Sequence, residues 1–250
     1  MSPVSTEAIV LRTVNYSETS VIATVFSKTH GKIALMAKGA RKPKSPFFAQ
    51  FEPMNSLQID FFFKENRNIQ TLKNSNFSSK SETIRQNFDT LNYGIAIVDI
   101  LDKVLHDTHE EPIIFKLTSR VLEFLGKRNT DNTPLFHFFL IQFSIYIGFM
   151  PSLKSCNICD VKLSDATFDE HSGELICKSC SSNQGIHISS KTIELLQLLV
   201  NTNIENLNDI NYHPKKLAET GLFLQQYLRF HLENIKFVKS LKLLDEFNHG

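Results

Sequence analysis

Residues 6–45 read TEAIVLRTVNYSETSVIATVFSKTHGKIALMAKGARKPKS, and this stretch decides the fold of the first part of the chain. Three runs rich in Val, Ile and Thr, at residues 6–14, 20–27 and 32–38, are separated by the polar segments NYSE and KTHG. β-Branched residues favour strands, whereas Asn, Ser and Gly favour turns. The stretch therefore predicts three short strands joined by tight turns.

Two further strands are predicted at residues 55–63 and 69–75, with the polar segment KENRN between them. In the first of these, Leu57, Ile59 and Phe61 alternate with mostly polar neighbours, which gives one face to a core and the other to solvent. Five short strands within about 70 residues fit a five-stranded barrel of the oligonucleotide/oligosaccharide-binding (OB) type. We assign residues 1–79 to this OB-fold, nucleic-acid-binding domain.

From residue 80 onwards the apolar spacing changes to that of amphipathic helices. Predicted helices run from Ile84 to His106, Pro112 to Gly126, Pro134 to Gly148, Ser190 to Val200 and Pro214 to Ile235, with Thr133 and Ser190 as N-caps. The third is apolar on most sides and should be the buried centre of an α-helical domain, residues 80–250. Its expected core residues are Phe136, Phe139, Leu140 and Phe143. The prediction is an α+β multidomain chain.

All four cysteines lie in CNICDVKLSDATFDEHSGELICKSC, as two C-x-x-C pairs separated by 17 residues. Two residues between cysteines let both thiolates turn towards one ion, and a turn at residues 171–174 can bring the pairs together. The pattern predicts one structural zinc ion (Zn2+) per chain, in a zinc-ribbon-like module at about residues 153–186 inserted in the helical domain. The predicted ligands are Cys156, Cys159, Cys177 and Cys180.

Other uses of these cysteines fit less well. Two disulfides are not expected in a reducing compartment, and a thioredoxin-like redox site needs only one C-x-x-C pair. His171 and His187 could replace a cysteine ligand, but the complete cysteine set makes them surface residues in this prediction. Four thiolates leave no coordination position for water, so the metal is not expected to be catalytic.

The net charge of +1 hides an asymmetry along the chain. Residues 1–80 contain 11 Lys and Arg against 5 Asp and Glu, a formal +6, whereas the remainder contains 16 against 21, a formal −5. Four cations lie within seven positions of a loop whose Gly and Pro residues prevent a strand or helix: Lys38, Arg41, Lys42 and Lys44. Loops of an OB barrel border its nucleic-acid groove, so these cations predict phosphate contacts; the alternative is an ordinary solvated turn. Phe47 and Phe48, which follow, are expected in the core.

The composition is that of a soluble globular protein, with 42% hydrophobic and 21% charged residues among 250. No apolar run approaches the roughly 20 residues of a membrane span. The segment MSPVSTEAIV lacks the features of an export signal, so we expect a reducing cytoplasm. The sequence has no G-x-x-x-x-G-K-[ST] loop and no spaced carboxylate set for a two-metal nuclease. We therefore expect no enzyme and no small-molecule substrate.

The N-terminal stretch resembles the barrel of the bacterial RecO family, in which a VL-x-x-x-x-Y-x-E segment, a turn closing on Gly and a KGA-(R/K)-(R/K)-x-x-S loop occur in that order. The likeness extends to HEEPIIFKLTSRVLEFL and FFLIQFSIYIGFMPSLKSCNICD and covers most of residues 5–200. The matching barrel residues are Val10, Leu11, Tyr16, Glu18, Gly31, Lys38, Gly39, Ala40, Arg41, Lys42 and Ser45.

This resemblance implies a recombination mediator in DNA repair and not an enzyme. RecO-like proteins bind single- and double-stranded DNA, anneal complementary strands coated by the single-stranded DNA-binding protein SSB and, with RecR, help to load the RecA recombinase. Such a protein would act in the bacterial cytoplasm, associated with the nucleoid. By this likeness the DNA contacts are Lys38, Arg41, Lys42 and Lys44, with Arg12 and Lys32 as additions.

The resemblance also implies a basic and apolar pocket in the helical part for the acidic C-terminal tail of SSB. The candidate cations are Lys116, Arg120, Lys127 and Arg128, although the sequence does not bring them together. Two other functions stay open. One is an RNA-binding protein with an OB fold and a zinc ribbon, which the same charges would serve; the other is an interaction scaffold whose basic loop docks an acidic protein surface.

Overall fold

The computed structural model describes residues 3–79, 81–127, 131–181, 185–210, 213–238 and 240–241, with residues 236 and 237 described by their backbone alone. The chain divides into two compact units, residues 1–129 and 130–250. The first contains β1 (Val4–Asn15), β2 (Val21–Ser27), β3 (Gly31–Ala37), β4 (Ser56–Phe62), β5 (Ile69–Ser79), α1 (Glu82–Arg85), α2 (Phe88–Val104) and α3 (Pro112–Lys127). The second contains α4 (Thr133–Tyr146), β6 (Ala166–Asp169), β7 (Glu174–Cys177), β8 (Ile186–Ile188), α5 (Ser190–Asn201) and α6 (Pro214–His231), with short 3-10 helices at Ile204–Asp209 and Glu233–Phe237. None of the helices in the described ranges has the length and apolar character needed to span a membrane.

Strands β1 to β5 form a closed barrel in the order β1-β2-β3-β5-β4. Neighbouring strands are antiparallel except β3 and β5, which run parallel and pair over Ala34–Met36 and Ile69–Thr71. Leu57, Ile59 and Phe61 are fully buried in the barrel core, as their alternation predicts. The five predicted strands and the OB-type barrel are confirmed.

The connection between β3 and β4 returns to the barrel only at its end. The Met54 N–H donates to the Val10 carbonyl at 2.8 Å, and the Val10 N–H donates to the Asn55 carbonyl at 2.9 Å. The Asn55 side chain also donates to the Gln50 carbonyl at 3.1 Å. These bonds fix the second half of the connection, whereas residues 41–44 in its first half are exposed.

The first predicted helix is interrupted in the structure. α1 is a single turn, and Asn87 then accepts a hydrogen bond from the Thr90 N–H at 3.1 Å and caps α2. The continuous helix predicted from Ile84 is therefore wrong in its first turn, because an Asn side chain offers the backbone an alternative to helical bonding. α3 begins at Pro112 as predicted and ends at Lys127.

The end of the barrel and the end of the compact unit fall at different places. β5 ends at Ser79, where the sequence places a domain boundary. The first unit nevertheless extends to residue 129, because α2 packs on β1 and Phe115 of α3 meets Phe26 of β2 edge-on at a ring separation of 5.4 Å. The division into domains 1–79 and 80–250 stays a prediction.

Helix α4 forms the centre of the second unit, as its apolar composition predicts. Phe136, Phe139, Leu140 and Phe143 are buried, and α4 contacts both α5 and α6. Gly148 ends the helical stretch with φ at +85°, a conformation that glycine adopts without steric cost. The core predicted for this helix is confirmed.

The N-caps of α4 and α5 each lie one residue before the predicted position. Asn132 and not Thr133 precedes α4, and Ser189 and not Ser190 precedes α5. Ser189 accepts a hydrogen bond from the Thr192 N–H at 3.4 Å, so it satisfies a first-turn donor. In both cases two adjacent residues are of types that can cap a helix. Backbone geometry, which the sequence does not specify, decides which of the two is the N-cap.

A small antiparallel sheet, in the order β7-β6-β8, precedes α5. β6 and β7 form the hairpin expected between the cysteine pairs, with Gly173 in its turn at φ +73°. β8 pairs with the other side of β6 through Ile186–Ile188. No strand is predicted at residues 186–188, because a strand of three residues is too short to give a periodic signal.

His137 of α4 is a buried titratable residue where α4 meets α6. Its Nδ1 has no hydrogen-bond partner within the described part of the chain, and its Nε2 lies 2.6 Å from the position that a Cβ on Gly221 would take. Burial lowers the pKa of His137 to about 4, an effect that Asp131 opposes. The two helices therefore meet at an uncharged imidazole, with no room for a side chain at Gly221.

We expect the second unit to be sensitive to acid. The folded pKa of His137 lies below the ordinary value of 6.5, so the unfolded chain binds more protons between about pH 4 and about pH 6.5. The stabilisation is complete above that window and is lost as the pH falls through it. Between about pH 7.5 and about pH 5 the free energy of unfolding should fall by about 2 kcal/mol, measured by denaturant titration.

The variant His137→Leu should lose most of this pH dependence. His187→Leu changes an exposed histidine of the same unit and is the matched control, which should behave like the wild type. Equal loss of stability in the wild type and in His137→Leu would contradict the assignment of the acid sensitivity to His137.

Candidate metal centre and nucleic-acid interface

The second unit brings its four cysteines together. The sulfur atoms of Cys156, Cys159, Cys177 and Cys180 all lie within 4.8 Å of one another, and those of Cys159 and Cys177 are 3.7 Å apart. Separations of this size allow four sulfurs to surround a single ion, since zinc–thiolate bonds are about 2.3 Å long. The cluster is therefore a potential metal site made of the four predicted residues.

Two tight turns and one hairpin produce this arrangement. The Asp160 N–H donates to the Cys156 carbonyl at 2.9 Å, and the Cys156 N–H donates to the Val161 carbonyl at 2.8 Å. The second pair turns in a similar way, with the Cys180 N–H donating to the Cys177 carbonyl at 3.1 Å. Each C-x-x-C segment thus folds back on itself, and the β6–β7 hairpin sets one pair against the other.

Backbone donors favour the thiolate form of Cys156, whereas hydrogen bonds with the Cys159 and Cys177 thiols raise the pKa of Cys180. The Cys177 N–H lies 3.3 Å from the Cys156 sulfur. Burial raises the pKa of the Cys156 thiol, but the backbone N–H groups of Cys177, Cys159 and Ile158 outweigh it and hold the pKa at about 6. Because metals bind cysteine as thiolate, these donors suit the cluster to a cation.

The two nearby histidines are not part of the cluster in the region that the structure describes. His171 is exposed in the β6–β7 turn, and His187 is exposed on β8. The ligand group contains cysteine sulfurs alone. A set of four thiolates suits a soft or borderline ion such as zinc and leaves no open position for substrate.

In the first unit, the basic loop comprises residues 38–44 and carries the four predicted cations in exposed positions: Lys38, Arg41, Lys42 and Lys44. Among the described residues, none of the four forms an ion pair. Their charge is thus available to an external anion.

The basic loop is tied to the β1–β2 turn, residues 16–20. The Arg41 N–H donates to the Thr19 carbonyl at 2.9 Å, and the Arg41 guanidinium donates through Nη1 to the Ser17 carbonyl at 3.1 Å. The Gly39 N–H donates to the Ser20 hydroxyl at 3.4 Å. Arg41 therefore has a structural role in holding the loop, which the three lysines do not share.

An open groove of about 640 Å³ lies between this turn and the basic loop. Its lining includes Tyr16 and Ser20 from the turn, Met36 from β3, and Lys38 and Lys42 from the loop. The groove joins one exposed aromatic ring to two exposed ammonium groups. Both lysines are among the predicted DNA contacts. Tyr16 matches the family's VL-x-x-x-x-Y-x-E segment, but alternation and charge give no role to a lone exposed ring.

Arg12 and Lys32 are placed differently from the loop cations. Arg12 Nε lies 2.9 Å from the Asp102 carboxylate of α2. Lys32 is only 15% exposed, and its ammonium group donates to the Asp102 carbonyl at 2.8 Å and lies 3.5 Å from the Asp107 carboxylate. Because the Asp102 carbonyl is in the last turn of α2, Lys32 acts as a cap for that helix. The charges of these two predicted DNA contacts are already matched within the protein.

The two phenylalanines after the basic loop have different environments. Phe47 is partly buried and packs against the barrel core, with its ring 6.2 Å from that of Phe51. Phe48 is 67% exposed, so the expectation that it lies in the core is wrong. The two are adjacent in a tight turn, which points one side chain inward and the other outward.

A further cation, Lys73, is absent from the predicted set. It is exposed on β5, two residues beyond Thr71, which pairs with Met36 of the groove. Only the barrel order makes β5 the neighbour of β3, so the sequence could not show that the strand carrying Lys73 pairs with β3.

Three of the four cations considered for an acidic partner, Lys116, Arg120 and Lys127, lie on α3. Arg120 and Lys127 both contact the Glu123 carboxylate, at 2.7 Å and 2.6 Å. Lys116 is exposed elsewhere on the helix, and Arg128 lies outside the described residues. Because Glu123 offsets part of the charge of Arg120 and Lys127, a pocket for an acidic tail stays a prediction.

We expect Lys32 to contribute to stability. Lys32→Met keeps the aliphatic part of the side chain but removes the donor to the Asp102 carbonyl, so the free energy of unfolding should fall by about 1 kcal/mol. Lys38→Met is the matched control at an exposed position and should change it by less than about 0.5 kcal/mol. Denaturant unfolding of the two variants measures the difference, and equal stabilities would refute the capping role.

Known proteins resemble the chain along nearly its whole length. A family model described as recombination protein O N terminal matches residues 1–80, and one described as recombination protein O C terminal matches residues 85–241. The chain is 32% identical over 232 residues to a DNA repair protein RecO of Thermodesulfovibrio yellowstonii, covering 90% of this chain and 91% of the relative. DNA repair proteins RecO of Salinibacter ruber and Alkaliphilus metalliredigens are 26% and 27% identical, covering 93% and 94% of this chain and 90% and 96% of the relatives. These matches include both the barrel and the cysteine cluster, and the chain belongs to the RecO family of DNA repair proteins.

Proposed function

We propose that the chain is a recombination mediator that binds DNA, anneals complementary single strands coated by SSB and, with RecR, helps to load the RecA recombinase. The observation that carries this proposal is the exposed basic loop, whose four cations have no ion-pair partner in the described structure. Family membership supplies the context of DNA repair. The protein would act in the cytoplasm, in association with the nucleoid.

The basic loop suits a phosphate backbone better than a discrete ligand. Its lysines are exposed and spaced along one loop, so they can meet successive phosphates without enclosing any of them. Contacts of this kind neutralise charge and release counterions whatever the base sequence. We propose Lys38, Arg41, Lys42 and Lys44 as the DNA-binding set, whereas Arg12 and Lys32 hold α2 against the barrel.

Annealing follows from the same charges and needs no catalytic group. A protein that neutralises phosphates on two strands raises their local concentration and lowers their mutual repulsion, and base pairing then supplies the free energy. We therefore propose no enzymatic activity. Duplex DNA would be a second ligand of the same loop, through its phosphates alone. Contact with the acidic tail of SSB would require cations of α3 that Glu123 does not offset.

The metal in the cysteine cluster is proposed to be zinc with a structural role. The four thiolates would saturate a tetrahedral ion, and the ion would hold the β6–β7 hairpin closed. Support comes from the mutual separations of the four sulfurs and from the N–H donor to Cys156.

Substitution of the three lysines of the basic loop, Lys38, Lys42 and Lys44, should abolish rapid annealing. If the four loop cations contact four phosphates, a plot of log affinity for single strands against log salt concentration should have a slope of about −2.8. The triple variant Lys38→Ala, Lys42→Ala, Lys44→Ala keeps only the contact of Arg41, so its slope should be about −0.7. Arg41 is kept because it braces the loop. Annealing of labelled complementary strands, bare and coated by SSB, measures the functional loss, and anisotropy titration measures the slope.

A second triple variant with the same change in charge controls for net charge. Lys154→Ala, Lys191→Ala and Lys215→Ala remove three exposed lysines of the other unit and should leave both readouts unchanged. If the two triple variants behave alike, the basic loop is not the DNA site. If folded wild type fails to anneal DNA but binds structured RNA or an acidic protein, the RNA-binding or scaffold function takes its place.

Zinc content should be about one ion per chain in protein purified without chelators. Cys156→Ser should lower this ratio towards zero and lower the Tm by roughly 5 °C or more, because the ion stabilises only the folded state. Elemental analysis and thermal unfolding measure the two effects. Ser155→Ala, the adjacent control, should retain the metal and the wild-type Tm. A wild-type ratio far below one, or a different metal, contradicts the proposal.

A further inference from the structure

Tyr16 is an aromatic side chain left largely uncovered by the fold. It is 62% exposed in the β1–β2 turn and lines the groove beside Lys38 and Lys42. Its ring makes no aromatic contact within the described parts of the chain, whereas Phe61 of the barrel core packs edge-on against Phe63. One face of this ring is thus free to receive a planar group.

The frame around Tyr16 is fixed by the backbone. The Tyr16 N–H donates to the Ser20 carbonyl at 3.1 Å, which closes the turn on itself. The two bonds from Arg41 and the one from Gly39 then join the turn to the basic loop. A binding surface that is already ordered loses little conformational entropy when a ligand binds, so the groove is prepared for an occupant.

The chemistry of the groove selects a planar ligand that carries negative charge. Tyr16 offers a π face, Met36 an apolar floor, and Lys38 and Lys42 two ammonium groups. A nucleotide combines the two properties required, because its base stacks on aromatic rings and its phosphate pairs with cations. In duplex DNA the base faces are already stacked on their neighbours, so only an unpaired base can reach Tyr16.

We propose that Tyr16 stacks on an unpaired base of single-stranded DNA while Lys38 and Lys42 hold the adjoining phosphates, so that this groove makes the protein prefer single strands to duplex. The inference rests on the DNA binding proposed above and adds a base-contacting residue to it. The loop cations supply affinity for any DNA strand, and Tyr16 supplies the preference for single-stranded over duplex DNA.

Anisotropy titrations with three labelled ligands of about 15 nucleotides test this proposal: oligo-dT, an abasic chain of equal length and a duplex. The wild type should bind oligo-dT more tightly than the abasic chain, which carries the same phosphates without bases. Tyr16→Ala should weaken oligo-dT binding about fivefold or more. It should leave the abasic and duplex affinities and the salt slope unchanged. Tyr16→Phe keeps the ring and should bind as the wild type does.

Tyr146→Ala is the matched control, since Tyr146 is a 44% exposed tyrosine of the other unit and should have no effect. If the wild type binds oligo-dT and the abasic chain with equal affinity, the stacking proposal is wrong. It is also wrong if Tyr16→Ala loses the same affinity for both ligands. The triple lysine variant separates the two claims. Loss of binding in that variant with none in Tyr16→Ala defeats only the inference about Tyr16, whereas full binding in the lysine variant defeats the DNA site itself.

Discussion

The parallel pairing of β3 with β5 closes the barrel of the first unit and determines where its exposed groups lie. The pairing spans only Ala34–Met36 and Ile69–Thr71, and β3 ends at Ala37, one residue before the basic loop. On its other side, Ala37 pairs with Val21, the first residue after the β1–β2 turn. The loop and the turn therefore meet at the same end of the same strand.

The role of each cation in this unit depends on the groups that surround its side chain. Lys32 and Lys38 are six residues apart, near the two ends of β3, and have the same chemistry. Lys32 meets the last turn of α2, where unsatisfied carbonyls attract a cation, and so it stabilises the fold. Lys38 meets no carboxylate in the described ranges and stays open to an external anion. The difference between a stabilising cation and a binding cation is thus one of partners and not of residue type.

The cysteine module in the second unit depends on a close contact at its hairpin. Gly173 in the β6–β7 turn lies against the aromatic end of α6, where a Cβ would come within 2.2 Å of the Phe230 ring. The His231 ring nitrogen lies 3.0 Å from the Gly173 carbonyl and adds a polar contact. A larger residue at this turn would both strain the backbone and displace the helix end. The same hairpin that assembles the four sulfurs is in this way fixed to the helical core.

Local spacing in the sequence was sufficient to predict the strands, the apolar centre and the cysteine cluster. Alternation defined Leu57, Ile59 and Phe61 as core, continuous apolar character defined α4, and the two C-x-x-C pairs defined the cysteine cluster. Tertiary structure decided which groups remain exposed and unpaired. Asp102 is 70 residues from Lys32 and 90 from Arg12, so no local pattern could show that these cations are already matched. The same holds for Tyr16, whose position beside the basic loop follows from a turn that is hydrogen-bonded to Arg41 and Gly39.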